Sequence, residues 1–393
     1  MPRTPLLCLL LAAAGAGCAT TGAPPVAAPA PPPAAEKLAA PSPPAPPEPC
    51  GNDADILGGA ELSARLEADA ALQPPHPERT PCALLRLARL RAAEARAAWD
   101  AAGNKGPAPV VPSLELLTKV VRTFPAWPRL DEALVELAAL QTLHGEQLAA
   151  TRSRLGFLCR ELVPDPLATG ALALPSTPGA FSGCTALRPE SPLVPAAWIA
   201  LADGLAGDRE LLASAPAAYA RALEEISPDD PAQPLLLFRR GVALARLDRH
   251  AEAVPQLVEA LLAPGSATVR QETLGYLASA ATAPDWDHDG APDPLVGLDR
   301  PELRAHLDAN AYWFPELVER IGDLQRDATA WRKAEAAYAL FVARWPQHPR
   351  AAAVGEKLAA VRQRAGIAPA SKPGKAGKGK AGKGKPGKGK RGK

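Results

Sequence analysis

The chain has 393 residues, a formal net charge of +2, 46 prolines, 31 glycines and only 4% aromatic residues. Aromatic residues and β-branched runs are scarce while Ala, Leu and Arg dominate the middle, which excludes a sheet-rich protein and favours an all-α one. The charge is uneven. The last 23 residues carry ten basic groups and no acid, so residues 1–370 sum to −8, a mildly acidic body with a strongly basic end.

Residues 1–17 read as a signal peptide: Arg3, the apolar run from Leu6 to Ala14, then small residues up to Cys18. That run is too short for a transmembrane helix, and nothing later is long enough. Gly15-Ala16-Gly17-Cys18 resembles the lipobox of bacterial lipoproteins, with Gly15 where Leu is usual. The resemblance implies that Cys18 becomes the lipid-bearing (palmitate-labelled) first residue. Ala19, rather than Asp, points to the outer membrane. An ordinary signal peptide cut at an Ala-x-Ala-like site is the other reading. Residues 18–49 then form a Pro/Ala-rich tether without enough large apolar groups to fold, suited to hold a domain away from a bilayer.

Residues 50–164 are expected to be N-terminal helical repeats. Ala83 to Ala102 is a helical run with leucines on one face, Ser113 is placed to cap a helix ending at Phe124-Pro125, and Leu130–His144 with Glu146–Leu162 reads as a hairpin. Phe124-Pro125-Ala126-Trp127-Pro128-Arg129 echoes Trp345-Pro346-Gln347-His348-Pro349-Arg350 more than 200 residues later. Residues 165–193 are a Pro/Gly/Ser-rich loop insertion. Four cysteines follow Cys18, namely Cys50, Cys82, Cys159 and Cys184. In an exported chain they suggest two disulfides, for which three pairings exist. Nearest-neighbour pairing is the expectation, and no CxxC or His pair lies near them to make a metal site.

Residues 194–282 carry two helix pairs with matching punctuation. Leu237, Gly241, Leu244, Ala253, Leu257, Ala260 and Pro264 form one. Trp198, Leu201, Ala202, Leu205, Ala215, Tyr219 and Ala222 form a second, with one residue inserted between its helices. Arg270 to Ala281 reads as a further first helix. Residues 283–300 hold an Asp-rich loop in which Asp285, Asp287, Asp289 and Asp293 alternate around Gly290. Such spacing can aim several oxygens at one hard cation. The loop resembles those of EF-hands and thrombospondin type 3 repeats, though Val296 stands where an EF-hand has its bidentate Glu. It reads either as a structural calcium staple or as a solvated acidic turn.

Residues 301–366 comprise a short helix opened by Pro301, a C-terminal helix pair and a capping helix from Arg350 to Ala365. Within the pair, Gly322, Ala334, Tyr338 and Pro346 stand 12, 4 and 8 residues apart. Small residues suit the point where two helices touch, a large one fills the space beside it, and Pro ends the second helix. With the matching copy at Gly241 and Ala253, this spacing resembles the tetratricopeptide (TPR) repeat. The resemblance implies a helical-hairpin solenoid that binds other proteins. Residues 367–393 are Gly/Lys repeats, expected to be a disordered polycation. Lys375, Lys378, Lys380, Lys383, Lys385, Lys388, Lys390 and Arg391 are its candidates for binding polyanions such as lipopolysaccharide, anionic lipid or DNA.

No HExxH or GxSxG is present, and Gly374–Lys380 matches the start of a phosphate loop only through composition, with Ala381 in place of Ser or Thr. The expectation is a non-enzyme with no cofactor, apart from the calcium reading, and no small-molecule substrate. Trp198, Tyr219, Trp331, Tyr338 and Trp345 are expected to pack hairpin on hairpin. Trp127 and Trp313, near loops, are candidates for partner contact. The whole plan is similar to outer-membrane TPR lipoproteins of envelope-assembly or gliding-motility complexes. It implies a lipid-anchored scaffold with envelope proteins as partners and repeats facing the periplasm or the cell surface.

Overall fold

The computed structural model describes Cys50 and residues 59–177, 179–283, 298 and 300–367. Among the described residues the protein is all-α, with fourteen α-helices and no strand. They are α1 (Gly59–Ala70), α2 (Arg79–Ala101), α3 (Val111–Thr123), α4 (Leu130–His144), α5 (Gln147–Leu158), α6 (Val194–Gly207) and α7 (Ala215–Glu224). The second half holds α8 (Gln233–Arg246), α9 (His250–Leu262), α10 (Arg270–Ala281), α11 (Pro301–Asp308), α12 (Phe314–Asp327), α13 (Trp331–Arg344) and α14 (Ala351–Ala365).

The chain's prolines are placed where helices tolerate them. Pro stands in the first turn of α3, α6, α7, α8, α11 and α12, where its missing N–H has no partner to lose. Ser113 is not a cap, contrary to the sequence reading. Pro112 lets α3 begin at Val111, and the Ser113 side chain is buried inside the helix. The helix expected over Glu146–Leu162 ends at Leu158, because the backbone leaves helical geometry at Cys159 to enter the insertion.

The tight turns after α4, α8 and α12 share a geometry that also recurs after α2, α11 and α14. The residue after α4, and the second residue after α8 and α12, lies in the left-handed region: Gly145 (φ 94°), Asp248 (φ 58°) and Thr329 (φ 60°). The next N–H then reaches back to a helix carbonyl, Glu146 to Gln141 at 2.8 Å, Arg249 to Leu244 at 3.0 Å and Ala330 to Gln325 at 2.8 Å. Each turn closes the carbonyl ends of one helix and points the chain back along it.

Most consecutive helices pack on one another, α8 on α9 and α12 on α13 most closely, whereas α10 packs on α12 and α11 lies against α9. A β-carbon on Gly241 would lie 2.7 Å from Leu257 Cγ, and one on Gly322 would overlap the Tyr338 ring. Neither partner can move cheaply, since both side chains are fully buried. Two large hydrophobic cores result, and α8 belongs to both. Leu236 and Ala243 face the first, while Leu237 and Phe238 face the second.

The insertion is packed down rather than loose. Phe181 is buried against Trp198, with ring centroids 5.6 Å apart, and the Cys159–Cys184 disulfide ties it to the end of α5. Leu187 N–H donates to Phe157 O (2.7 Å), and Ser191 Oγ donates to the buried Asp131 (2.7 Å). Pro166 sits directly over Gly156, filling the place of a β-carbon.

Helical glycines therefore differ in what they do. Gly322→Ala is expected to lower stability in urea unfolding by about 1–3 kcal/mol, because the Tyr338 ring must shift. Gly355→Ala, in the middle of α14 with open space around it, is expected to raise stability by about 0.5–1 kcal/mol. A neutral Gly322→Ala would show that the close approach is not a constraint.

Candidate functional site

Asp203 on α6 and Asp323 on α12 each follow a small buried residue, Ala202 and Gly322. That position brings each within reach of the Tyr on the paired helix. Tyr219 Oη donates to Asp203 Oδ1 at 2.6 Å, and Tyr338 Oη donates to Asp323 Oδ1 at 2.7 Å. Each carboxylate also meets a cation from a later helix, on its second oxygen in Asp203 and on both oxygens in Asp323. Arg239 of α8 reaches Asp203 at 2.6 Å, and Lys357 of α14 reaches Asp323 at 2.8 Å. Each Tyr–Asp–cation unit thus joins one helix pair to a helix that follows it. The Tyr lies 16 residues after the first Asp and 15 after the second, a difference that matches the inserted residue between α6 and α7. Burial, and then the neighbouring carboxylate, push both phenols far above their ordinary value of 10.0, so they remain donors.

These units belong to a longer run of contacts between alternate helices. Asp203–Arg239 links α6 to α8. Phe238 and Tyr276 link α8 to α10, edge to face at 5.7 Å. Gln271 Nε2 donates to Glu316 Oε1 at 2.9 Å, Arg270 lies 3.5 Å from Glu316 Oε2, and Arg320 also donates to Gln271, which joins α10 to α12. Glu319 Oε1 accepts from Arg350 and Lys357 at 2.8 Å each and joins α12 to α14. Glu319 is only 2% exposed. A buried carboxylate with two cations is strongly destabilising to break, whereas exposed pairs such as Arg249–Glu252 contribute only about 0.3–0.5 kcal/mol.

The run is open to solvent at α10. Tyr276 is 41% exposed, and with Gln271, Glu272, Gly275, Ser279 and Arg320 it lines an open hollow of about 510 Å³. Gly275 forms the floor: the nearest group to a β-carbon there is Arg320 Nη1, at 3.6 Å. An exposed tyrosine ring beside an arginine is a combination that protein interfaces are enriched in.

The sequence-derived candidates fall elsewhere. Trp127 and Trp313 do not present a partner surface. They are 7% and 0% exposed, because the turns that carry them fold their rings into the two cores. Trp313 lies against His306 and Phe314. Of the five aromatics expected in the core, Trp198, Tyr219 and Tyr338 are fully buried, and Trp331 and Trp345 are partly buried against it. Cys50 is bonded to Cys82 and Cys159 to Cys184, with Cα atoms 5.5 and 4.6 Å apart. Cys18, Asp285, Asp287, Asp289, Asp293 and the basic residues from Lys375 to Arg391 lie outside the described residues. Among the described residues no group of three or more His, Cys, Asp or Glu gathers as a metal site requires, and no helix is long and apolar enough to cross a membrane.

Asp203, Arg239, Tyr276 and Glu316 escaped the sequence reading because the contacts that join them along the run span more than 30 residues. The one available signal was the acidic residue directly after a small one, Ala202-Asp203 and Gly322-Asp323.

The α10–α12 link is pH-sensitive. Burial pushes the Glu316 carboxyl up, but Arg320, Gln271 and Arg270 together outweigh it and hold the group below its ordinary 4.5. A depressed folded pKa contributes stability that is present above the unfolded value, about 4.3, and is lost as pH falls through the folded one. Glu316→Gln is expected to lower the urea midpoint at pH 7, with the two proteins converging as pH falls to about 3. A gap unchanged at low pH would show that the carboxylate charge does not support the link.

Compared with protein-family models the chain has no match, and compared with curated proteins it has no match in sequence either.

Proposed function

We propose that this protein is a non-enzymatic protein-binding scaffold. In this reading the helix pairs form a TPR-like solenoid. The face that runs across α6, α8, α10, α12 and α14 holds an extended or helical segment of a partner. The observation that carries it is the series of side-chain contacts joining alternate helices, with Tyr276 left exposed in the middle. In a stack of hairpins, alternate helices meet only if they share one side of the stack. The spacing of Gly241 with Ala253 and of Gly322 with Ala334, and the recurring turn geometry, support the same reading.

The N-terminal features supply the setting. A lipid-bearing Cys18 on a Pro/Ala tether would place the scaffold on a bacterial envelope membrane, the outer one by the residue at 19, with envelope proteins as partners. Asp285, Asp287, Asp289 and Asp293 would serve as a structural calcium loop rather than a catalytic one. A second reading rests on the ten basic residues within 371–393. That segment would bind polyanions by counterion release, with steep salt dependence.

One set of experiments separates the readings. A photo-crosslinking residue at Tyr276 is expected to capture a defined envelope protein, and capture should persist when residues 371–393 are deleted. The same probe at Leu262, exposed on α9 outside the run of contacts, should not capture it. Equal capture at both positions, or loss of capture with the tail, would overturn the groove as binding element. Palmitate labelling that disappears in Cys18→Ala tests the anchor, and labelling that survives the substitution sinks it.

A further inference from the structure

The insertion after α5 walls one side of a second cavity, of about 610 Å³. The opposite walls are α3, at Thr118 and Arg122, and the α4–α5 turn with the first turn of α5. Arg152 closes it. A helical side chain leans back toward the N-terminus of its own helix, so Arg152 is directed from the second turn of α5 toward the first. The strap of residues 166–170 covers it, leaving it 5% exposed.

Arg152 Nη2 donates to Gly170 O, a neutral acceptor. Among the described residues no carboxylate pairs with it. A guanidinium cannot lose its proton at any accessible pH, so burial without a counter-ion leaves a charge seeking an anion. Two further features on the same wall favour an anion. Glu146 makes no side-chain cap, so among the described residues the N–H groups of the first turn of α5 have no acceptor at the positive end of the helix. Arg122 is exposed and pairs with no carboxylate among the described residues. Arg122 also lines the adjoining hollow of about 320 Å³, on whose wall lies Arg160. Against them stands Glu146, exposed at the rim. Asp165, in the adjoining hollow, is engaged with the Leu167 N–H at 2.9 Å. Leu148, Pro166 and Leu167 add apolar wall.

We propose that this cavity binds a small organic anion, a carboxylate or phosphate group on a compact apolar body. Its oxygens take paired hydrogen bonds from Arg152 and backbone donors from the first turn of α5, with Arg122 as the outer cation. The volume is that of a small-molecule site. The site is independent of the partner-binding face, since none of its residues belongs to that run of contacts.

The test is isothermal titration of the full chain, disulfides intact, with benzoate, phenyl phosphate, inorganic phosphate and benzylamine. Benzoate or phenyl phosphate is expected to give saturable heat at one ligand per chain, the tighter of the two identifying the anionic group, and benzylamine none. Arg152→Met should weaken that binding by about tenfold or more, the loss of a charge-assisted hydrogen bond. Because Arg152→Met also loosens the strap, two surface changes are added. Arg122→Gln should weaken binding with unchanged melting, and Leu148→Trp should block the cavity with unchanged melting. The proposal falls if no anion gives saturable heat to the native chain, which would leave Arg152 as an anchor for the strap alone. It falls equally if binding survives both Arg152→Met and Leu148→Trp.

Discussion

At Gly322 the ring of Tyr338 occupies the volume that any larger residue would need, and at Gly241 the same is true of Leu257. That close approach is the constraint from which the remaining geometry follows. Two helices that touch at a missing side chain can align in few ways, because interiors are packed tightly and do not deform continuously. With the crossing settled, the residue after it comes within hydrogen-bonding distance of the aromatic on the partner helix. Asp323 meets Tyr338 for this reason, and Asp203 meets Tyr219. The carboxylate then takes a cation from a later helix, Arg239 of α8 for Asp203 and Lys357 of α14 for Asp323. A steric requirement inside one pair thus becomes an electrostatic link beyond it.

Stability along the chain rests on burial more than on the many surface ion pairs. Fully burying a large apolar side chain contributes about 1.5–3 kcal/mol, several times the effect of an exposed pair. The helix α8 matters beyond its length, since its two sides serve two cores and couple them. The charged groups that do matter are those withdrawn from water. Glu319 is held by two cations, and Asp131 accepts from Ser191 with Arg188 3.8 Å away, so that the insertion is fastened to α4. Losing one partner of such a group leaves a buried charge uncompensated.

The insertion shows how an all-helical protein can carry a hollow beside its packed helices. Phe181 and the disulfide anchor it, and Pro166 rests on Gly156. Between these anchors the strap bridges the opening turn of α5 and leaves a hollow instead of a packed seam. Without the strap of residues 166–170 nothing would cover Arg152 there. The face across the alternate helices and the hollow under the strap are therefore separate features of one chain, with no residue in common.

Much of this was legible in the residues themselves. Helical periodicity and Pro/Gly punctuation place α4 and α10 with the bounds that the structure has, and Gly241 and Gly322 declare their crossings, because both depend on neighbours within one or two turns or one hairpin. The start of α3 was misread at Ser113, since Pro112 is equally at home in a first turn. Trp127 and Trp313 were misplaced because a sequence shows that an aromatic lies beside a turn, not whether the turn folds inward. The partners of Asp203 and Asp323 lie 36 and 34 residues away on later helices, and the cover over Arg152 comes from a loop with no periodicity. Local spacing dictates which helices form and where they touch. Which charges are buried, and which find no counter-ion, depends on segments far apart in the chain being brought together, and only the folded arrangement decides that.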